Sequence, residues 1–338
     1  MKVLIIGGTG LLGSAAAEEL ISKGHQVVSV SLPPLPAGAV FPRGMEIRFG
    51  NYLNMSESEL RGYFSDCEGF VFAAGVDERV EVVAPVYEFY KKYNIEPLGR
   101  LLRIAKECGV KHVAVCGSYF SWFAKTRPEL KLEKYHPYIR SRREQEELAL
   151  SFAGPGFDVA VLELPYIFGV QPGRKPVWVF LVEMLRKMKG VTFWPKGGTA
   201  MITVKQAGQA IAGALERNCG GHCYPIGYFN MTWRQMLSLF HSAMGYPKRK
   251  IVTVPDWMFA IAAKRIETKR RKRGVEGGLF LPEFVKMQCS EQFIDRSLGC
   301  DVLGVQSDDI KRAIGESVRL SLAVLDGKEE KVLSMPEK

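Results

Sequence analysis

The first thirteen residues, Met1-Lys2-Val3-Leu4-Ile5-Ile6-Gly7-Gly8-Thr9-Gly10-Leu11-Leu12-Gly13, constrain the fold more than any other stretch of the chain. An apolar run leads directly into glycines at three-residue spacing. A helical pattern over 11–23 follows, and then a second apolar run over 26–30. Each glycine has a physical task in such a turn. Gly7 permits a tight turn off the strand, Gly10 lets backbone approach a diphosphate, and Gly13 lets the helix pack close to the strand. The diphosphate would rest on the free N–H groups and the positive dipole end of the helix. The order strand, turn, helix, strand therefore predicts a dinucleotide cradle.

The alternation continues. Apolar runs at 46–49, 69–73, 112–116 and 158–162 are separated by helical patterns at 56–64, 85–108 and 137–152. This predicts an α/β fold of Rossmann type, a doubly wound parallel sheet with helices on both faces. The second half is less regular and is punctuated by Pro172-Gly173, Gly197-Gly198 and Gly220-Gly221. Helical patterns at 180–189, 204–216, 233–244 and 308–325, with a late strand at 222–226, predict a smaller, mostly helical C-terminal substrate lobe. The expected division is a nucleotide-binding domain over 1–168, rejoined by about 200–227. The substrate lobe is built from 169–199 and 228–325, and 326–338 form a frayed tail. The ligand cleft should lie where the two parts meet, at the carboxyl ends of the strands.

Composition excludes several classes. The apolar runs are too short to span a bilayer, and residues 3–6 are too short for a signal-peptide core, so a cytoplasmic location is expected. Seven scattered cysteines, an odd number without framework spacing, suggest reduced thiols. The run Cys219-Gly220-Gly221-His222-Cys223 lacks further ligands at suitable spacing and reads as a turn entering a strand, so no metal is expected. The net charge of +10 favours anions, yet no nucleic-acid motif accompanies it. Much of the excess lies in 264–273, directly after the apolar stretch 257–263. One reading is a solvated helix end and loop. The other is an apolar helix with a basic flank, lying on a membrane or receiving a phosphorylated substrate.

The glycine spacing resembles the extended short-chain dehydrogenase/reductase superfamily, in particular its NAD-dependent epimerase/dehydratase family. Further segments are similar in order: Phe72-Ala73-Ala74-Gly75, Asn94-Ile95-Glu96, Leu164-Pro165-Tyr166-Ile167-Phe168-Gly169, then Phe293-Ile294-Asp295 and Leu298-Gly299. The resemblance covers at least residues 1–320. It implies an NAD(P)-dependent oxidoreductase or epimerase acting on a hydroxyl or keto group of a small molecule. It implies catalysis by Ser or Thr, Tyr and Lys with a supporting Asn. Homodimers are common in that family, and no residue here by itself specifies one.

The chemistry sets the requirement. A hydride moves between a substrate carbon and the nicotinamide, and a proton must move at the neighbouring oxygen. A phenol with a pKa near 10 needs an adjacent cation to act near neutrality. A lysine four residues later on a helix supplies one. Two literal Tyr-x-x-x-Lys strings, Tyr87 to Lys91 and Tyr246 to Lys250, fall outside the expected order. The positional match is Tyr138-Ile139-Arg140-Ser141-Arg142, placed 20 residues after Ser118. Arg142 thus stands where the family has lysine. It keeps the charge and can hold ribose hydroxyls, but it does not readily release a proton. The expected catalytic set is Ser118, Tyr138, Arg142 and Asn94.

The expected cofactor contacts are Gly7, Thr9, Gly10, Leu11, Leu12, Gly13, Ser31, Asn51, Tyr52, Ala73, Ala74, Gly75, Tyr138, Arg142, Pro165 and Ile167. Ser31 ends the second strand where an acidic residue would select NAD over NADP, so NAD and NADP both stay open. Asn51 stands where the family has Asp, and its carbonyl could read an adenine amino group. The segment after Ser118 is Tyr119-Phe120-Ser121-Trp122, without the acidic pair that sugar-nucleotide dehydratases carry there. A nucleotide sugar would call on Arg174, Lys175, Lys196 and Arg234 for its diphosphate. A hydrophobic alcohol or ketone would suit the aromatic residues 119–123 and the stretch 257–263. A different class also fits: a nucleotide-binding sensor or interaction protein that has lost efficient catalysis.

Overall fold

A computed structural model describes residues 1–35 and 38–328. Most of the expected tail, 329–338, lies outside the described residues. Seven strands form one parallel sheet: β1 (Lys2–Ile6), β2 (Gln26–Ser31), β3 (Met45–Phe49), β4 (Gly69–Phe72), β5 (His112–Cys116), β6 (Asp158–Glu163) and β7 (Gly221–Pro225). Their order is β7-β6-β5-β4-β1-β2-β3. The connections leave β1 towards opposite edges, which opens a crevice at the carboxyl ends of β1 and β4.

Both faces of the sheet are covered. Along β1, Val3 and Ile5 enter one hydrophobic cluster, while Leu4 and Ile6 enter another. The period of two in strand side chains produces this split, and it explains why the strands read as unbroken apolar runs. On the first face, the helix Leu11–Ser22 lies so close to the helix Val204–Arg217 that a Cβ at Gly208 would stand 2.4 Å from the Ala15 carbonyl oxygen. On the second face, the helices Glu57–Phe64 and Glu96–Glu107 bury Leu60, Phe64, Leu98, Leu101 and Leu102. The strand expected at 222–226 joins the main sheet as β7, parallel to β6.

The smaller C-terminal region is less purely helical than its sequence suggests. Tyr166–Phe168, Gly198–Thr203, Phe229–Thr232 and Glu291–Gln292 build a separate four-stranded sheet. These strands are short, and Gly198–Thr203 is buried at every position, so no alternation marks them in the sequence. The helices Val179–Lys187, Trp233–Ala243 and Ile310–Leu325 pack together around Trp178, Trp233 and Phe240. The outer helix Asp256–Lys272 continues through the basic run instead of ending before it.

Candidate active site

The glycine-rich turn leaves β1 at Gly7, whose φ of +89° favours glycine, and a Cβ there would lie 3.0 Å from the Ala73 carbonyl oxygen. Gly10 starts the helix Leu11–Ser22 with no side-chain cap and no acidic residue in its first turn. Its first N–H groups, those of Leu11 and Leu12 included, therefore have no intrahelical partner and face the crevice end of the helix. A Cβ on Gly13 would fall 2.3 Å from the Gly7 carbonyl oxygen, so only glycine lets the helix begin this close to the turn. The Thr9 N–H donates to the Ser31 hydroxyl at 3.2 Å, and the Ser31 hydroxyl also pairs with that of Ser29 at 2.8 Å. Ser31 is thus buried and engaged within the turn.

Arg174 reaches this turn from the C-terminal side. Its Nε donates to the Thr9 carbonyl oxygen at 2.7 Å, and Gln171 donates to the same oxygen at 3.1 Å. No carboxylate pairs with Arg174 among the described residues, and burial lowers its pKa. An uncapped helix end, a glycine that admits no Cβ and an unpaired guanidinium together fit the diphosphate of a dinucleotide. The Asn51 side-chain oxygen accepts from the Leu53 N–H at 3.1 Å, which leaves one of its two lone pairs free. Tyr52 packs edge-on against Phe72, and burial pushes its phenol up to about 12.

The second half of the site gathers at the ends of β4 and β5. Ser118 caps the helix Tyr119–Thr126, and its hydroxyl accepts from the Phe120 N–H at 3.4 Å. Tyr138 and Arg142 lie one turn apart on the helix Pro137–Ser151. Lys125 of the first helix joins the second by meeting Glu146 at 2.7 Å, and it also meets Glu163 at the end of β6 at 2.9 Å, while Arg143 meets Glu146 within the second helix at 2.5 Å. That network sets the helix carrying Tyr138 against the helix that Ser118 starts.

Arg142 lies with its Cζ 5.2 Å from the centre of the Tyr138 ring. Its guanidinium is held by the Gln145 side chain at 2.8 Å, the Val76 carbonyl at 3.1 Å and the Cys116 carbonyl at 3.4 Å, while its buried Nε has no partner. Burial pushes the Tyr138 phenol above its ordinary value. The Arg142 charge and the Ser118 hydroxyl pull it down, the Glu78 carboxylate adds to the rise, and burial prevails. The guanidinium therefore favours the phenolate without producing one at neutral pH.

Asn94 sits in a π-helical turn, Lys91–Ile95, between the helices Val86–Tyr90 and Glu96–Glu107. Its side chain accepts from the Val76 N–H at 2.8 Å and donates to the Val76 carbonyl at 3.1 Å, holding the loop after β4. Ala73, Ala74 and Gly75 begin that loop, and Gly75 has a φ of +133° with a Cβ position only 2.7 Å from the Asn94 Oδ1. Pro165 and Ile167 follow β6, and the Ile167 carbonyl accepts from the Trp178 indole at 2.9 Å.

Other candidates lie elsewhere. Tyr87 donates to Glu144 on the outside of the Tyr138 helix. Tyr246 is exposed, with Arg249 over its ring. Of the four cations considered for a substrate diphosphate, Arg174 is on the glycine turn and Lys196 pairs with Asp256 at 3.4 Å, while Lys175 and Arg234 are exposed. They do not converge on one place.

What surrounds Tyr138 instead is aromatic. Its ring centre is 5.5 Å from Tyr90 and 6.4 Å from Phe120; Phe120 meets Phe284 at 5.5 Å, and Tyr119 meets Tyr166 at 6.2 Å. Two site residues escaped the sequence reading. Gln145 stands three positions after Arg142, a helical spacing that could have pointed to it. Glu78 lies in the irregular loop after β4, which carries no periodic signal. Burial and the neighbouring Asp77 raise its carboxyl pKa, and Arg79 and Arg142 oppose that rise.

Comparison with known proteins gives a family and a fold. The family model described as "NAD dependent epimerase/dehydratase family" matches residues 3–218. A putative dihydroflavonol 4-reductase of Synechocystis is 23% identical over 93% of this chain and 92% of its own length. The 4-hydroxy-2-methyl-3-oxo-4-farnesyl-3,4-dihydroquinoline-1-oxide ketoreductase of Stigmatella aurantiaca is 24% identical over 66% of this chain and 67% of its own. The solved structure of MoeE5 in complex with UDP-glucose and NAD shares the fold, with a TM-score of 0.64 and 18% identity over 96% of this chain and 100% of that one.

Proposed function

The chain belongs to the NAD-dependent epimerase/dehydratase family, and from that membership we propose that it is a nicotinamide-dependent reductase of a hydrophobic carbonyl compound. The observation that carries this reading is the aromatic wall around Tyr138: Tyr90, Tyr119, Phe120, Tyr166 and Phe284, with no free cation among them. Such a wall binds a flat or isoprenoid body and offers nothing to a sugar diphosphate. The two curated relatives are named as reductases, one of a farnesylated quinoline ketone, which supports the same direction.

The proton inventory also favours reduction. Burial keeps Tyr138 protonated, the form that can give a proton to a carbonyl oxygen. The Ser118 hydroxyl orients that oxygen, and Tyr138 passes its proton to it as the carbon–oxygen double bond becomes single. The Arg142 charge stabilises the phenolate left behind, while Gln145 and Asn94 hold Arg142 in place. A bound nicotinamide supplies the hydride. The glycine turn, Thr9, Leu11, Leu12 and Arg174 would hold the diphosphate of the dinucleotide, with Ala73–Gly75, Pro165 and Ile167 alongside. Ser31 carries neither a carboxylate against a 2′-phosphate nor a cation for one, so NAD and NADP are both accommodated. In this reading the dinucleotide lies on 1–168 with 200–227, and the carbonyl compound lies against 169–199 and 228–325.

A second reading, a nucleotide-binding sensor with weakened catalysis, draws on one observation. The Arg142 fork is spent on the Gln145, Val76 and Cys116 oxygens, leaving less of it for a ligand.

The test measures NADH and NADPH oxidation with aromatic and isoprenoid ketones, and with UDP-sugars, for the wild type and for Tyr138→Phe. Ketone-dependent oxidation that falls about 100-fold or more in Tyr138→Phe supports the reductase. Tight nucleotide binding with no ketone turnover, and no effect of Tyr138→Phe, selects the sensor.

A further inference from the structure

The outer helix Asp256–Lys272 divides its sides unequally. Phe259, Ala260 and Ala263 pack onto Leu281, Val285 and Cys289 of the helix Leu281–Gln288. The opposite side carries Trp257, Met258 and Ile261 in the first half, all exposed, with Trp257 64% exposed. Just before the helix, Phe193 and Val252 are register partners on the strand pair Val191–Pro195 and Lys250–Val254, and both are exposed as well. Nothing in the chain's own packing calls for this many large apolar side chains in water.

The charges on the helix are also divided. Arg270 pairs with Glu81 at 2.8 Å and Glu267 at 3.3 Å, and Arg273, just after the helix, pairs with Glu81 at 2.5 Å. Lys264, Arg265, Lys269, Arg271 and Lys272 are exposed and make no ion pair among the described residues. Five free cations thus follow an exposed Trp-Met-Ile cluster along one helix about 25 Å long.

We propose that this helix is a peripheral docking surface for a membrane carrying anionic lipid. The apolar first half enters the headgroup boundary, and the free cations meet lipid phosphates. This arrangement lies on a membrane and does not cross it, because no helix among the described residues is long and apolar enough to span one. The charge pattern selects an anionic partner. The protruding tryptophan and isoleucine, set in series with the cations, select a lipid boundary over a folded acidic protein.

The inner side of the same helix reaches the active site. Arg270 donates to the Leu279 carbonyl at 3.1 Å. The segment around it is clamped to the Tyr138 helix: the Gly278 carbonyl accepts from the Tyr138 N–H at 3.0 Å, and the Phe280 N–H donates to His136 at 3.1 Å. Docking therefore places the aromatic cluster around Tyr138 one helix away from the lipid. A carbonyl compound dissolved in the bilayer would have a short path to Tyr138.

Cosedimentation with phosphatidylcholine vesicles, with and without phosphatidylglycerol, tests the proposal on the full chain without nucleotide. The result is therefore readable whatever the substrate proves to be. Binding to the anionic vesicles, weakened by salt, is expected. Each cation contributes about fivefold to partitioning, so Lys264→Gln, Lys269→Gln and Lys272→Gln together should weaken it about 100-fold. Trp257→Ala should weaken it about tenfold and remove most of the blue shift that tryptophan emission of the wild-type protein shows with anionic vesicles. Equal binding to both vesicle types, or anionic binding untouched by either variant, overturns the proposal. So does a dimer in solution that Ile261→Asp dissociates while no vesicle binding is seen, since the face then belongs to a second copy of the chain.

Discussion

The side-chain amide of Gln145 donates to the main-chain carbonyl of Asn94 at 2.6 Å. The Gln145 oxygen accepts from Arg142 at 2.8 Å, so one buried side chain links the π-helical turn to the cation beside Tyr138. Gln145→Leu would leave the Asn94 carbonyl without this donor and remove the Gln145 acceptor from Arg142. A stability loss of about 1–3 kcal/mol is expected, read by urea unfolding. Gln145→Glu restores a partner for Arg142 but not for Asn94, and should recover only part of that loss.

Gly10 and Gly13 separate folding from ligand approach. A Cβ at Gly13 meets the Gly7 oxygen at 2.3 Å, so Gly13→Ala must shift the helix and should cost about 1–3 kcal/mol. A Cβ at Gly10 meets only the Gly7 oxygen, at 3.1 Å. Gly10→Ala should therefore keep nearly wild-type stability while binding nucleotide at least about tenfold more weakly by calorimetry. Unchanged affinity in Gly10→Ala would show that no ligand approaches this backbone.

Arg174 is partly buried on the Thr9 carbonyl with no carboxylate partner among the described residues, an arrangement that an anion would relieve. Arg174→Met should weaken dinucleotide binding by about tenfold and flatten its salt dependence. Melting without nucleotide should change little, because the arginine makes only neutral contacts there.

His136 precedes the Tyr138 helix and is fully buried, and burial lowers its pKa from 6.5 to about 4. Its Nδ1 accepts from the Phe280 N–H, which requires the neutral ring. Above pH 6.5 both folded and unfolded states leave the ring neutral. Between 6.5 and 4 the unfolded chain binds a proton that the folded chain refuses, so stability falls as pH falls across that window. The group accounts for up to about 3 kcal/mol of this loss. His136→Gln keeps an acceptor for Phe280 and should show a shallower decline in melting temperature from pH 7 to pH 4.

Much of the fold was legible because its signals are local. The first βαβ unit, the Ser118 strand end and the Tyr138 helix are each set by residues within a few turns of one another, and their boundaries differ from expectation by one or two residues. The small four-stranded sheet was not legible, since strands of two to six residues without alternation carry no period. The basic run read as a solvated helix end and loop or as the flank of an apolar helix, because side chains facing water leave no pattern of burial.

The amino-acid sequence by itself determined the glycine turn, the parallel sheet and the spacing from Ser118 to Arg142, all properties of near neighbours along the chain. Tertiary structure alone decided what those residues can do. It brought Gln145 between Arg142 and Asn94, set Arg174 on Thr9 and closed aromatic rings around Tyr138. The state of the Tyr138 proton depends on that enclosure. Desolvation and the Arg142 charge act in opposition, and only their placement in space settles that burial prevails.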